Sequence, residues 1–166
     1  MINIRKIEMS DADEFVVLQK GLAEETKFMM REPEECTMDA VGAEERIKGV
    51  HQRGDFLFVA EVDGELIGFL SAAKGGLNRI KHRAYIVIGI RKAYQGQGIG
   101  HGLFQELDHW ATAQKLRRLE LTVMVVNIGA KKLYEKNGFV VEGIKKDAMR
   151  VDGQYVDEYY MGKVLE

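Results

Sequence analysis

Apolar and polar residues alternate from Ile2 to Ile7, the pattern of a strand with one covered face. Ser10-Asp11-Ala12-Asp13 then reads as a capping box, with Ser10 as N-cap and Asp13 three residues on. It predicts a helix that turns Phe15, Val16, Leu18, Leu22 and Ala23 inward. The stretch from Glu25 to Met38 holds Pro33, the only proline, and reads as an irregular connection. A second helix is expected from about Asp39 to Gln52. Phe56 to Val62 and Glu65 to Ala73 are two strands around Asp63-Gly64, a pair in which both residues tolerate positive φ. The run Tyr85 to Ile90 is almost continuously apolar, as in a strand covered on both faces. Ile99, Leu103, Leu107 and Ala111 recur at helical spacing, and Leu119 to Val126 is strand-like again. Asn127 to Lys136 reads as a short helix that Asn137-Gly138 ends. Phe139 to Val151 and Tyr155 to Val164 form a last hairpin around Asp152-Gly153. The order is β-α-α-β-β-β-α-β-α-β-β, an α/β class with a sheet that mixes hairpins and helix-linked crossings.

A chain of 166 residues suits one domain with one core, spanning residues 1–166. Its 24 basic and 26 acidic residues give no overall attraction to nucleic acid or to an anionic membrane. Cys36 is the only cysteine, so no intrachain disulfide forms, and a reducing, cytoplasmic setting fits. The first residues have no apolar segment of signal-peptide length, and no apolar run nears the ~20 residues of a membrane helix. No metal site is expected.

The chemistry is concentrated in Gln95-Gly96-Gln97-Gly98-Ile99-Gly100, between a buried strand and an amphipathic helix. A helix N-terminus offers N–H donors without intrahelical acceptors and the positive end of the dipole. Glycines there remove side chains that would keep an anion away. The dinucleotide fingerprint fails, because the sixth position counted from Gly96 is His101 and from Gly98 is Leu103. The Walker pattern fails for want of a Gly-Lys-Ser/Thr. Taken alone, the glycines favour a turn without a ligand, since short motifs often match by chance. Between Glu65 and Glu106 there is no Asp or Glu, whereas Lys74, Arg79, Lys81, Arg83, Arg91, Lys92, His82 and His101 all fall there. That basic flank suits a polyphosphorylated ligand; it would also suit a solvated basic sheet edge.

Gln95, Gly98 and Gly100 follow a Gln-x-x-Gly-x-Gly pattern that resembles the pyrophosphate signature of the GNAT-type N-acetyltransferases. Asn127-Ile128-Gly129-Ala130-Lys131-Lys132-Leu133-Tyr134-Glu135-Lys136-Asn137-Gly138-Phe139 resembles the second signature of that family. The resemblance is strong from about Tyr85 to Gly143. It implies a single GNAT-like domain, a mixed sheet of about seven strands with about four helices, and a splay between the fourth and fifth strands. It also implies acetyl-CoA as cofactor, contacted at Ile88, Gly89, Ile90, Gln95, Gly96, Gln97, Gly98, Ile99, Gly100, His101, Asn127, Ala130 and Lys136. Tyr134 would protonate the leaving thiolate. A phenol, with an ordinary pKa of ~10, stays protonated at neutral pH and can donate.

Two departures from the family bear on the acceptor. Thr122 stands where some members carry a glutamate base, and the preceding strand opens with Arg83, Ala84 and Tyr85 rather than a carboxylate. Glu120, on the same strand face as Thr122, is the remaining candidate. An α-amine with pKa ~8 is about a tenth neutral at pH 7, so it needs less help than a lysine-like amine at ~10.4. The expected acceptor is therefore a small primary amine such as an amino acid, deprotonated through water. The resemblance places Glu25, Phe28, Met29 and Thr122 near it. The segment from Asp152 to Met161 resembles the branch of amino-acid and phosphinothricin acetylators. Alternatives are a protein N-terminal or polyamine acetyltransferase, or a noncatalytic acyl-CoA-binding domain. The terminal hairpin offers a surface for a homodimer.

Overall fold

The computed structural model describes residues 1–166. Its strands are β1 (Asn3–Lys6), β2 (Phe56–Val62), β3 (Glu65–Lys74), β4 (Arg83–Ile90), β5 (Arg118–Met124), β6 (Val140–Val151) and β7 (Gln154–Val164). Its helices are α1 (Ala12–Glu25), α2 (Ala40–Arg53), α3 (Ile99–Ala113) and α4 (Ile128–Lys136). The strands form a seven-stranded mixed sheet in the order β1-β2-β3-β4-β5-β7-β6. The parallel ladder of β4 and β5 is three residue pairs long, from Arg83–Arg118 to Tyr85–Glu120, as expected for strands that splay. The chain packs as two compact units, residues 1–73 with 87–110 and residues 74–86 with 111–166.

In the first unit, α1 and α2 bury their apolar stripes against the strands. Phe15, Leu18 and Leu22 on α1 and Ala43, Ile47 and Val50 on α2 share one core with Leu57, Val59, Leu66 and Phe69. These spacings of three and four residues are one helix face, so the periodicity of the chain is the periodicity of the core. Phe15 meets Phe69 edge-on at 5.8 Å. Asp39 caps α2 by accepting from the Gly42 N–H at 2.8 Å. Gly54 ends that helix in the left-handed region at φ 68°.

The start of α1 differs from the sequence expectation. A 3-10 turn over Met9–Asp11 precedes it, and the capping box is made by Glu8 and Asp11 rather than by Ser10 and Asp13. Asp11 wins because it has two jobs. Its carboxylate accepts from the Glu8 N–H at 2.8 Å and from two nitrogens of Arg5 at 2.7 and 2.8 Å. Arg5 also donates to Glu61 at 2.5 and 2.8 Å, which ties β1 and the turn to β2.

In the second unit, β5 and β7 pair antiparallel from Arg118–Val164 to Met124–Glu158, and β6 pairs β7 on the far side. Asp152 and Gly153 both have positive φ, 52° and 77°, as the last hairpin requires. The β6 strand is not regular. Its register slips between Lys145 and Met149, where Asp147 takes φ 48° and donates its N–H to Asp157 at 2.9 Å.

The Arg5 guanidinium holds the Asp11 carboxyl below the usual carboxylate range; burial opposes this, and the Glu8 N–H adds to it. A carboxyl whose folded pKa is depressed contributes stability above its unfolded value of ~3.9, and that contribution is lost as pH falls through the folded value. Asp11→Asn is expected to cost about 1–3 kcal/mol at pH 7 by urea unfolding. The gap from the parent protein should close as pH is lowered below ~4.

Candidate active site

The first unit carries the glycine turn. Ile88, Gly89 and Ile90 end β4, and Gly89 lies against the core: a Cβ there would sit 2.8 Å from Leu22 and 3.0 Å from Phe69. The chain then passes through a 3-10 turn at Lys92–Tyr94. Gln95 reaches back and donates through Nε2 to the Ile90 carbonyl at 3.0 Å. Gln97 donates to the Ala93 carbonyl at 3.4 Å. These two amides brace the turn from inside, which accounts for glutamines at both positions.

Gly96 and Gly98 have φ 75° and 83°, a region costly for other residues. A Cβ at either position would meet nothing within 4 Å, so the glycines serve backbone conformation and leave the outside of the turn open. The Gly98 carbonyl accepts from the Gly102 N–H at 3.0 Å, the first bond of α3. Ile99 is buried as an anchor and His101 is exposed in the first turn of the helix. N–H groups of that turn lack intrahelical acceptors and stand at the positive end of the dipole. The open turn, its braces and this donor set fit a pyrophosphate.

Glu25 belongs to the same unit and is engaged there. Its Oε1 accepts from Arg91 Nε at 2.5 Å and its Oε2 from the Lys92 N–H at 2.9 Å. Burial pushes its carboxyl up, but these bonds and the two cations outweigh burial and hold it below the ordinary value. The Arg91 guanidinium lies directly over Gly21, where a Cβ would come within 2.4 Å of it. Glu25 is therefore a fastening for the entry to the glycine turn, with both carboxylate oxygens in use. Phe28, three residues on, is exposed, whereas Met29 packs on the core.

The second unit carries the other signature. Asn127 caps α4, its Oδ1 accepting from the Ala130 N–H at 3.3 Å, so the Asn-x-x-Ala spacing is that of a helix start. Tyr134, one turn further, is 8% exposed and meets Phe139 at 6.3 Å between ring centroids. Burial first, and the neighbouring Tyr85 second, push its phenol well above the ordinary value. Lys136 is exposed in the last turn of α4.

The same unit has a cleft of about 380 Å³ on the strands β4 to β7. Tyr85 and Thr122 line it and share a hydrogen bond of 2.9 Å between their hydroxyls. Glu120 lines it too, paired with Arg118 at 2.9 Å and Arg83 at 3.5 Å. Arg118 also binds Glu142 through two nitrogens. Thr122 and Glu120 thus share a face, as their spacing implied. Tyr85 was not singled out as a site residue, because its partner lies 37 residues away. The apolar run around Tyr85 was the only local signal.

A curated relative, the L-amino acid N-acetyltransferase AaaT of Escherichia coli, is 38% identical over 111 residues, 64% of this chain and 66% of its own length. The chain thus spans just under two thirds of that relative. The crystal structure of a GNAT-family acetyltransferase from Streptococcus pneumoniae superposes with a TM-score of 0.95 at 29% identity, covering 100% of both chains. A GNAT-superfamily phosphinothricin acetyltransferase from Sinorhizobium meliloti, solved with acetyl-CoA, shares the fold at a TM-score of 0.87 and 19% identity, covering 99% of this chain and 88% of its own. The family model for the acetyltransferase (GNAT) family matches residues 20–139, which take in both the braced glycine turn and the Asn127-capped helix, and the chain belongs to that family.

Proposed function

We propose that this protein moves the acetyl group of acetyl-CoA to the primary amine of a small molecule, an amino acid or related amine, by direct attack. The observation that carries this reading is Tyr134, a buried phenol kept protonated on the helix of the second signature. A noncatalytic binding domain would have use for the glycine turn but none for such an acid. The amino-acid branch is favoured by the likeness to the AaaT enzyme and by the lack of a free carboxylate base beside Thr122.

Bound acetyl-CoA supplies a thioester, and transfer releases a thiolate that must gain a proton. The backbone N–H groups from Gln97 to His101 would bind the pyrophosphate, with Gly96 and Gly98 setting the turn. Backbone groups of Ile88, Gly89 and Ile90 would orient the pantetheine arm; the Ile90 carbonyl already accepts one bond from Gln95. Asn127 would offer its amide N–H groups, since its oxygen is held by the cap. Ala130 keeps the first turn of α4 free of bulk, and Lys136 gives an exposed cation for a phosphate. Tyr134 would hold its proton at Oη and deliver it to sulfur. The Tyr85–Thr122 hydroxyl pair would order a water that takes the proton of the amine. Glu120 polarises that water less effectively than a free carboxylate, because Arg118 and Arg83 compete for its charge.

Tyr134→Phe should lower kcat about 100-fold while the acetyl-CoA dissociation constant stays within about threefold, by single-turnover kinetics and calorimetric titration. Unchanged single-turnover rates would remove Tyr134 from the chemistry. The acceptor is tested with a panel of free amino acids, polyamines and peptides with acetyl-CoA, followed by thiol release. Amino acids should turn over most efficiently by kcat/KM; exclusive use of polyamines or of peptide N-termini would overturn the acceptor class and leave acetyl transfer standing.

A further inference from the structure

Within the first unit, the connection between α1 and α2 and the face of α2 border an open cleft of about 510 Å³ lined by Arg31, Glu35, Thr37, Met38 and Arg46. We propose that this cleft binds a small carboxylate, held by the guanidinium groups of Arg31 and Arg46. The site is separate from every residue assigned above to acetyl-CoA or to proton transfer.

The argument starts from Arg46. It stands on α2, half-buried, with its guanidinium carbon 5.1 Å from the centroid of the buried Phe15 ring. Stacking on an aromatic face occupies the face of a guanidinium and leaves its N–H edge for an acceptor. No carboxylate supplies one. Burial, and then the like charge of Arg31, both work against the charged form of Arg46, and no acidic group offsets them. Three other half-buried arginines differ: Arg5, Arg91 and Arg118 each hold at least one carboxylate at 2.9 Å or closer. Two guanidinium groups that repel each other across a cleft are the arrangement an anion relieves.

The lining also selects the kind of anion. Arg31 and Arg46 bring two positive charges and Glu35 one negative charge, which leaves a net charge of +1. That balance suits a monoanion, whereas a phosphate dianion would leave excess negative charge beside Glu35. Glu35 already turns one oxygen to the Glu32 N–H at 3.0 Å. Thr37 adds a hydroxyl. Met38 packs against the core and gives an apolar wall for a short aliphatic chain. A carboxylate with an apolar stem, as in propionate or an aliphatic amino acid, matches these features.

The test uses the full chain. Propionate, L-leucine, 3-methylbutylamine and inorganic phosphate are titrated calorimetrically at constant ionic strength into the parent protein, Arg31→Gln and Arg46→Gln. Propionate and L-leucine should bind the parent, 3-methylbutylamine should not, and each variant should weaken carboxylate binding at least tenfold. Arg31 is exposed, so Arg31→Gln keeps the fold even if Arg46→Gln, which loses its stack on Phe15, does not. Equal carboxylate affinity in parent and Arg31→Gln, absence of binding to the parent, or tighter binding of phosphate would each overturn the proposal. Steady-state kinetics then separate two sources of carboxylate. Propionate competing with an amino-acid acceptor, with KM raised in the variants for amino acids but not amines, assigns the site to the carboxylate of the acceptor. A change in rate without competition assigns it to a second ligand. The binding arm needs no turnover, so it stands or falls independently of the acetyl-transfer reading.

Discussion

The carboxylate of Glu25 fixes the entry to the glycine turn. One oxygen takes the side chain of Arg91, the other the backbone N–H of Lys92, so the end of α1 grips the chain just where β4 gives way to the glycine turn. A turn that binds an anion through backbone N–H groups has no side chain to adjust; its donors must already point the right way. Gly21 belongs to this constraint, since its missing side chain is the space that the Arg91 guanidinium fills. The two glutamines then brace the turn from within, and the left-handed glycines give it its path.

A second rigid piece is built by a different device. The Asn127 cap starts α4 at a defined residue, and the Tyr134 ring is set on that helix against Phe139. Its cap fixes the rotation of the helix; its burial fixes the phenol. The contrast is chemical: anion binding calls for an array of polar donors held under electrostatic tension, whereas a reserve of protons calls for a dry pocket.

Much of this was readable in the chain. The Asp63-Gly64 and Asp152-Gly153 turns were legible because both residues of each pair must carry positive φ, and they do. The two signatures were legible because their spacing is local: a turn followed by a helix, and a cap followed by its third residue. What escaped is non-local. The start of α1 moved because Asp11 answers to Arg5 on β1, a demand that a capping pattern does not contain. The resemblance placed Glu25 near the acceptor; its bonds to Arg91 and Lys92, 66 and 67 residues away, carry no local signal. The slip in β6 at Asp147 is enforced by Asp157 on β7, and the alternation of residues along β6 carries no trace of it. The pairing of Arg46 with Phe15 is of the same kind.

Burial of Tyr134 has a kinetic consequence. A surface phenol would begin to ionise in mildly alkaline solution and would impose a falling limb on the rate. Here burial pushes the phenol well above its ordinary value, so in the proposed transfer that limb would lie outside the working range. The pH dependence of the proposed turnover would then be left to the amine and the group that relieves it of its proton. A rate profile would then become a spectrometer for the acceptor step: its midpoint would read the amine together with the group that takes its proton.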